Sequence, residues 1–364
     1  MKKHLLLFIT LFFSCYLFSQ NSSIRYSNIQ AELFYGFLIE HDTSLDNAIQ
    51  GNTYGFLASW NTIENKNTKF NQLFNYPERG YSFSYQNFNS TVLGEAVAAY
   101  RHYTYNLTPS SKNHLKLTTA FGLAYATKSY DAIDNNQNFA LGSKLLVSAY
   151  FKLQYIHFFK DRNLSLNSSL NIIHYSNSAL KNPNLGLNTV AFNIGFNYKL
   201  NEIEITKKDT IFDIDKSLKY HVILRGGVNE SKEIGSGLYP FFTVSFSVTK
   251  VLNNYSTISG GAEYFNSPFI EDYSKYINET EHHEYPENNP HRAGIFIGHE
   301  LTQNHFGFIS QIGLYVYQPV FYVSSIYERF GFRYKLSKHL IADVTLKANL
   351  FRAETLEFGL GYTF

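Results

Sequence analysis

Apolar and polar side chains that alternate residue by residue over ten or more positions leave a chain few folds to choose from, because successive strand residues face opposite sides of a sheet. Phe242, Val244, Phe246 and Val248 alternate with Thr243, Ser245, Ser247 and Thr249, so one face is apolar and the other carries only hydroxyls. Leu340, Ala342, Val344, Leu346, Ala348 and Leu350 divide in the same way from Asp343, Thr345, Lys347 and Asn349. So do Leu145, Val147, Ala149, Phe151, Leu153 and Tyr155 from Lys144, Ser148, Lys152 and Gln154. A soluble sandwich alternates too, but its strands run to about 5 or 6 residues; these run to about 9 to 13, the length that crosses a bilayer at a tilt.

The amino terminus supplies the context. Lys2 and Lys3, the apolar stretch Leu5 to Phe18, and then Ser19 and Gln20 have the three regions of a signal peptide, placed at residues 1–20. Phe12, Phe13 and Ser14 fit a lipobox before Cys15 poorly, so Cys15 is read as part of that peptide. Its removal takes away the only Cys and with it any disulfide or thiolate. The 31 basic residues fall to 29 without Lys2 and Lys3, matching the 29 acidic ones, and a neutral chain offers no footprint for nucleic acid. With 29 Tyr and 33 Phe but no apolar run near the roughly 20 residues of a membrane helix, the aromatic load belongs to β-structure and to interfacial girdles.

The fold expected is therefore all-β: an antiparallel transmembrane β-barrel of an outer membrane over residues 21–364, with about sixteen strands in a range of roughly 12 to 16. With a periplasmic amino terminus, strands fall near 29–40, 52–60, 80–88, 91–105, 114–126, 140–157, 163–175 and 187–200. Eight more fall near 218–228, 239–250, 255–265, 292–302, 305–317, 322–335, 339–350 and 355–364. Turns at Lys160 to Asn163 and Lys335 to Lys338 alternate with longer polar loops. The charged segment 201–216 reads as a periplasmic connection, and strands of one character on both sides favour one barrel over two. The last strand, with Leu356, Phe358, Leu360, Tyr362 and Phe364 on one face, resembles the carboxy-terminal signal read by the barrel-assembly machinery.

Strand seven carries the candidate chemistry. Ser165, Asn167, Ser169 and Asn171 form a polar, lumenal face, so Leu164, Leu166, Leu170 and Ile172 face lipid, and two-residue steps add His174 and Ser176 to them. Strand eight is apolar on its even positions from Val190 to Tyr198, which puts Asn188 on the same side. Polar groups on a lipid-facing wall cost little at the interface and more at depth, so these three belong at the rim. They read either as a serine nucleophile with a histidine base or as a His and a Ser among the headgroups.

The stretch His174-Tyr175-Ser176-Asn177-Ser178-Ala179-Leu180-Lys181-Asn182-Pro183-Asn184-Leu185-Gly186-Leu187-Asn188 resembles the active-site segment of the outer-membrane lipid A 3-O-deacylases, or acyloxyacyl hydrolases. A weaker likeness extends over residues 30–200, where eight strands match that family's eight-stranded barrel. The resemblance implies His174 as general base, Ser176 as nucleophile, Asn184 at the oxyanion hole and Asn177 in support. The family's acidic third member falls on Asn188, which orients an imidazole by hydrogen bonding but adds no charge. Residues 217–364 lie outside the likeness, as additional strands without an assigned role.

The resemblance implies a serine esterase acting on lipid A, or lipopolysaccharide, among outer-membrane lipids, without a cofactor. A channel or passive barrel is the alternative, on the strand count and on Lys116, Lys144, Lys152, Asp343 and Lys347 as lumenal charges; a phospholipase of the same membrane is a third reading. Glu281, His282, His283, Glu284, Glu287 and His291 lack a rigid ligand spacing and read as a solvated loop, and Asp131 to Asn136 lacks a closing bidentate Glu, so no metal site is assigned. Glu40 and Asp42, beside His41, supply an acid only if their loop folds over strand seven.

Overall fold

Neighbouring strands pair antiparallel along the whole of a computed structural model that describes residues 24–64, 68–108, 113–159, 163–201, 214–231, 233–303, 305–350 and 352–364. The expected signal peptide at 1–20, most of the 201–216 connection and the turn at 160–162 lie outside the described residues. The first eight strands are β1 (Ile24–Leu38), β2 (Thr53–Glu64), β3 (Glu78–Asn87), β4 (Glu95–Asn106), β5 (Asn113–Ala126), β6 (Leu145–Phe158), β7 (Leu164–Ser176) and β8 (Leu187–Asn201). They are followed by β9 (Leu218–Glu230), β10 (Leu238–Val251), β11 (Ser256–Asn266), β12 (His291–Gln303), β13 (Phe306–Tyr317), β14 (Ile326–Lys335), β15 (Leu340–Asn349) and β16 (Arg352–Thr363). Every expected strand is present. The largest differences at strand starts are at β1, which begins at Ile24, about five residues before the expected position, and at β4, β6 and β14, which begin at Glu95, Leu145 and Ile326, each a few residues after it.

Closure differs from the expectation of a single sixteen-stranded barrel. β8 returns to β1, with Leu33 opposite Ile194 and Phe37 opposite Val190, and β16 returns to β9, with Leu360 opposite Leu224. The chain thus forms two closed eight-stranded barrels in tandem. Alternation tells which face a residue occupies but not which strand closes on which. Each half holds an even number of strands, so its first and last lie antiparallel at one edge and satisfy each other's backbone.

Outside, the apolar set faces out as expected: Leu33 and Leu360 are 69% and 68% exposed, a wall that only an apolar surrounding accommodates. Inside, both lumens are filled by side chains, as the narrow bore of eight strands requires. In the first barrel Lys152 pairs with Glu32, which also accepts from Asn167 at 2.7 Å and Ser169 at 3.1 Å, and Lys116 pairs with Glu78. In the second, Arg329 bonds Glu263 and Glu357 at 2.6 Å each, Arg225 and Arg333 share Asp343 at 2.8 Å each, and Arg292 and Lys347 share Glu354 at 2.6 Å each. Arg333 also reaches Glu300 at 3.2 Å, so five cations meet five carboxylates. A cavity of about 10 Å³, no larger than a water, lies beside Arg225 and Arg333.

Two expectations change with this packing. The lumenal charges are consumed in ion pairs within filled bores, which removes the support for a channel, and Lys144 is exposed at the mouth of β6 rather than lumenal. The loop carrying Glu281 to His291 is largely exposed, as read, but the connection that leads into it forms helix α2 (Phe269–Glu281), whose Phe269, Ile270, Tyr273 and Ile277 pack against Val320. Helix α1 (Lys69–Leu73) lies at the opposite end of the molecule, between β2 and β3.

The barrels touch along their length. Phe121 of β5 meets Phe332 of β14 edge-on at 5.3 Å, and Phe74, the residue closing α1, meets Tyr255 at 5.4 Å. At the far end Asn182, between β7 and β8, bonds Glu230 and Ser231.

Glu263 holds Arg225 and Arg329 together and accepts from Tyr327 at 2.9 Å. Glu263→Ala leaves two buried guanidinium groups short of a carboxylate and is expected to destabilise the second barrel by about 3 to 5 kcal/mol. Urea-dependent loss of the heat-modifiable gel band, compared with the parent, measures it.

Candidate active site

Four connections on one end of the first barrel interlock over its mouth. Leu45 and Ala48 from the segment after β1, Phe88, Val92 and Leu93 before β4, and Ala140 and Leu141 before β6 are buried in one cluster with Tyr175. Main-chain and side-chain bonds tie them: Ser90 Oγ donates to Ala48 O at 2.7 Å, and Leu185 and Gly186 donate to Phe139 O and Ala140 O at 3.1 and 2.9 Å. The result is a fixed frame for the 177–186 loop at the end of β7.

On β7, Ser165, Asn167, Ser169, Asn171, Ile173 and Tyr175 are buried toward the lumen, and Leu164, Leu170 and Ile172 are exposed on the wall. His174 and Ser176 share the parity of that outer face; His174 is half-buried there, and Ser176, at the end of the strand, is buried. His174 stands opposite Asn188 in the β7–β8 ladder, and its Nδ1 is 2.7 Å from Asn188 Oδ1. An amide oxygen only accepts, so Nδ1 donates and Nε2 retains the lone pair of the neutral ring. Ser176 stands opposite Val147 of β6, roughly 6.5 Å along the strand from His174. Among the described residues no hydrogen bond joins Ser176 Oγ to the ring; such bonds are often long before substrate arrives.

The loop returns against this pair. Ser178 and Ala179 take φ values of 58° and 61°, reversing the chain directly after Asn177. Asn177 N–H donates to Asn184 Oδ1 at 2.9 Å, and Asn177 Nδ2 donates to Lys181 O at 2.6 Å. With Oδ1 so occupied, Asn184 keeps its amide N–H groups as donors. Gly186 closes the loop at φ 74°, where a Cβ would sit 3.1 Å from His174 Cε1 and 3.5 Å from Ser176 Cβ. The missing side chain thus leaves free the space beside both residues that a Cβ would fill.

The segment after β1 does reach this loop, through His41 rather than its acids. His41 Nε2 lies 3.0 Å from Leu185 O. Asp42 instead accepts from Ser44 N–H at 3.0 Å, the chief cause of its lowered pKa, and faces Arg352 at 3.6 Å. Glu40 shares a hydrogen bond with Asp46 that raises its pKa. Neither acid is directed at His174. Among the described residues no group of three or more His, Cys, Asp or Glu is arranged to hold a metal ion.

Two family models match in tandem. Residues 54–197 match the lipid A 3-O-deacylase (PagL) family, and residues 218–364 match the acyloxyacyl hydrolase C-terminal domain. The chain belongs to the lipid A 3-O-deacylase family. The second match covers the half that carried no resemblance in the sequence reading, and its limits coincide with the second barrel. No curated relative matches the chain. Among solved structures, Rhodopseudomonas blastica porin shares 6% identity over 93% of this chain and 99% of its own, with a TM-score of 0.17. The TodX monoaromatic hydrocarbon channel shares 8% over 94% and 90% at 0.17, and CdiB from Acinetobacter baumannii 9% over 93% and 60% at 0.19. Overlap at that level carries no argument, and the architecture rests on the chain's own strand pairing.

For a lipid A 3-O-deacylase family member, the residue that sequence reasoning passed over is Gly186, although a glycine immediately before a strand commonly marks close backbone approach. Gly186→Ala combines a left-handed φ, worth about 1 to 2 kcal/mol, with contact on the imidazole. It is expected to lower ester hydrolysis by about 100-fold through a displaced ring while the heat-modifiable band persists. Initial rates on lipid A in detergent, read beside the gel shift, check it.

Proposed function

We propose that this chain is an outer-membrane serine esterase that hydrolyses the 3-O-acyl ester of lipid A in the outer leaflet. The observation carrying the reading is the bond between His174 Nδ1 and Asn188 Oδ1, at 2.7 Å, on the outward face shared with Ser176. That bond selects the tautomer whose Nε2 accepts a proton, and it does so on the wall from which an amphiphile arrives laterally.

In the first step Ser176 Oγ attacks the ester carbonyl as His174 Nε2 takes its proton. The carbonyl oxygen becomes an oxyanion, stabilised by Asn184 Nδ2 and main-chain amides of the loop, with Asn177 holding Asn184 through Oδ1. Collapse breaks the bond to the sugar oxygen, which takes the proton from His174 and leaves as the free 3-hydroxyl. Water, deprotonated by His174, then attacks the acyl-serine; the second collapse regenerates Ser176 and releases the 3-hydroxy fatty acid. No cofactor enters. Asn188 orients the ring throughout but offers the imidazolium no opposing charge.

The exposed apolar walls and the family membership support the membrane setting, and the alternating aromatic end at Phe358, Tyr362 and Phe364 suits recognition by the barrel-assembly machinery. Filled lumens speak against the channel reading. Product analysis separates lipid A deacylation from phospholipase action on the same membrane.

Ser176→Ala and His174→Ala are expected to cut hydrolysis by about 1,000-fold or more with the barrel still folded. Asn188→Asp is expected to keep or raise the rate, since a carboxylate accepts the same bond and also stabilises imidazolium. Release of 3-hydroxy fatty acid from lipid A in detergent is the assay. Parental rates in both alanine variants would remove the catalytic assignment.

A further inference from the structure

The second barrel holds part of the first barrel's site in place, and we propose that Glu230, at the end of β9, is a positioning residue for the 177–186 loop. This role rests on the esterase reading above. Glu230 is only 8% exposed, yet it spends its carboxylate on main-chain donors: Oε2 accepts the N–H of Asn182, and Oε1 accepts the N–H of Gly235 at 3.1 Å. The adjacent Ser231 O accepts Asn182 Nδ2 at 2.6 Å. Both ends of Asn182, backbone and side chain, are therefore tied to the other barrel.

The tie sits where it affects chemistry. Asn182 lies between Lys181, whose carbonyl accepts from Asn177, and Asn184, whose Oδ1 accepts the Asn177 N–H. Moving Asn182 moves both acceptors, and with them the amide proposed for the oxyanion. Hydrogen bonds to a carboxylate are shorter and stronger than neutral ones, so Glu230 fixes the loop more firmly than a neutral acceptor would. A second tie acts on the neighbouring wall of the site: Arg352, opening β16, faces Asp42, the residue after the His41 that meets Leu185 O.

Glu230 touches no reacting atom, so its removal is expected to lower kcat and leave the KM for lipid A near the parent's. A 1 Å error at the oxyanion donor corresponds to about a 100-fold loss. The experiment uses the full chain in detergent with lipid A, comparing Glu230→Ala, Glu230→Gln and Asn182→Ala with the parent and with Ser176→Ala. The expected result is a fall in kcat for Glu230→Ala, a smaller fall for Glu230→Gln, which keeps one acceptor oxygen, and a fall for Asn182→Ala, all with the heat-modifiable band intact. Parental kcat in Glu230→Ala and Asn182→Ala beside an inactive Ser176→Ala overturns the positioning role alone. A rise in KM without a fall in kcat overturns it too. If Glu230→Ala does not fold, Asn182→Ala decides: parental kcat there refutes the role. A Ser176→Ala variant as fast as the parent instead overturns the esterase reading.

Discussion

Backbone hydrogen bonding from β8 to β1 and from β16 to β9 leaves neither sheet with an open edge, and the rest of the molecule follows from that closure. In an apolar surrounding each unpaired N–H or C=O costs several kcal/mol, so a sheet there must close on itself. Closing at eight strands sets a bore that side chains fill. Many of the inward residues are polar or charged, and burying the charged ones requires that they satisfy one another; Glu32 with Lys152 and the Arg329–Glu263–Arg225 chain are how this sequence does so. Breaking one member strands its partners, which makes these networks sensitive to single substitutions even where a packed apolar core would have served.

The same closure determines where chemistry can occur. With both lumens occupied, reactive groups have two places left, the loops and the outer wall. His174, Ser176 and Asn188 use the seam between them: they belong to β7 and β8 by register, but their surroundings are the loop reversal at Ser178 and Ala179 and the bare backbone of Gly186. Rigid strands fix the spacing of His174 and Ser176, while the interlocked loop holds Asn177 and Asn184 beside them.

Strands and faces were legible in the sequence because the period of two is written residue by residue, and the outward placement of His174 followed from counting steps along β7. The pairing of His174 with Asn188 was legible for the same reason, since both lay on even positions at the facing ends of a hairpin. Closure was not legible: the strand after Asn201 looks like the one before it, and nothing in alternation says that β8 turns back to β1. Helix α2 was missed because its apolar residues, Phe269, Ile270, Tyr273 and Ile277, are few and sit among acidic neighbours. Glu230 was out of reach for a different reason, since its partner Asn182 is 48 residues away in sequence and in another barrel.

Two packed bores also bear on how much of this protein a membrane tolerates. A large-bore barrel adds a leak with every copy, so its abundance is bounded by what the cell can lose. Each barrel here is stoppered by its own side chains, with a cavity of about 10 Å³ in the second. Charge pairs that plug the bores mean that adding copies does not add large aqueous pores.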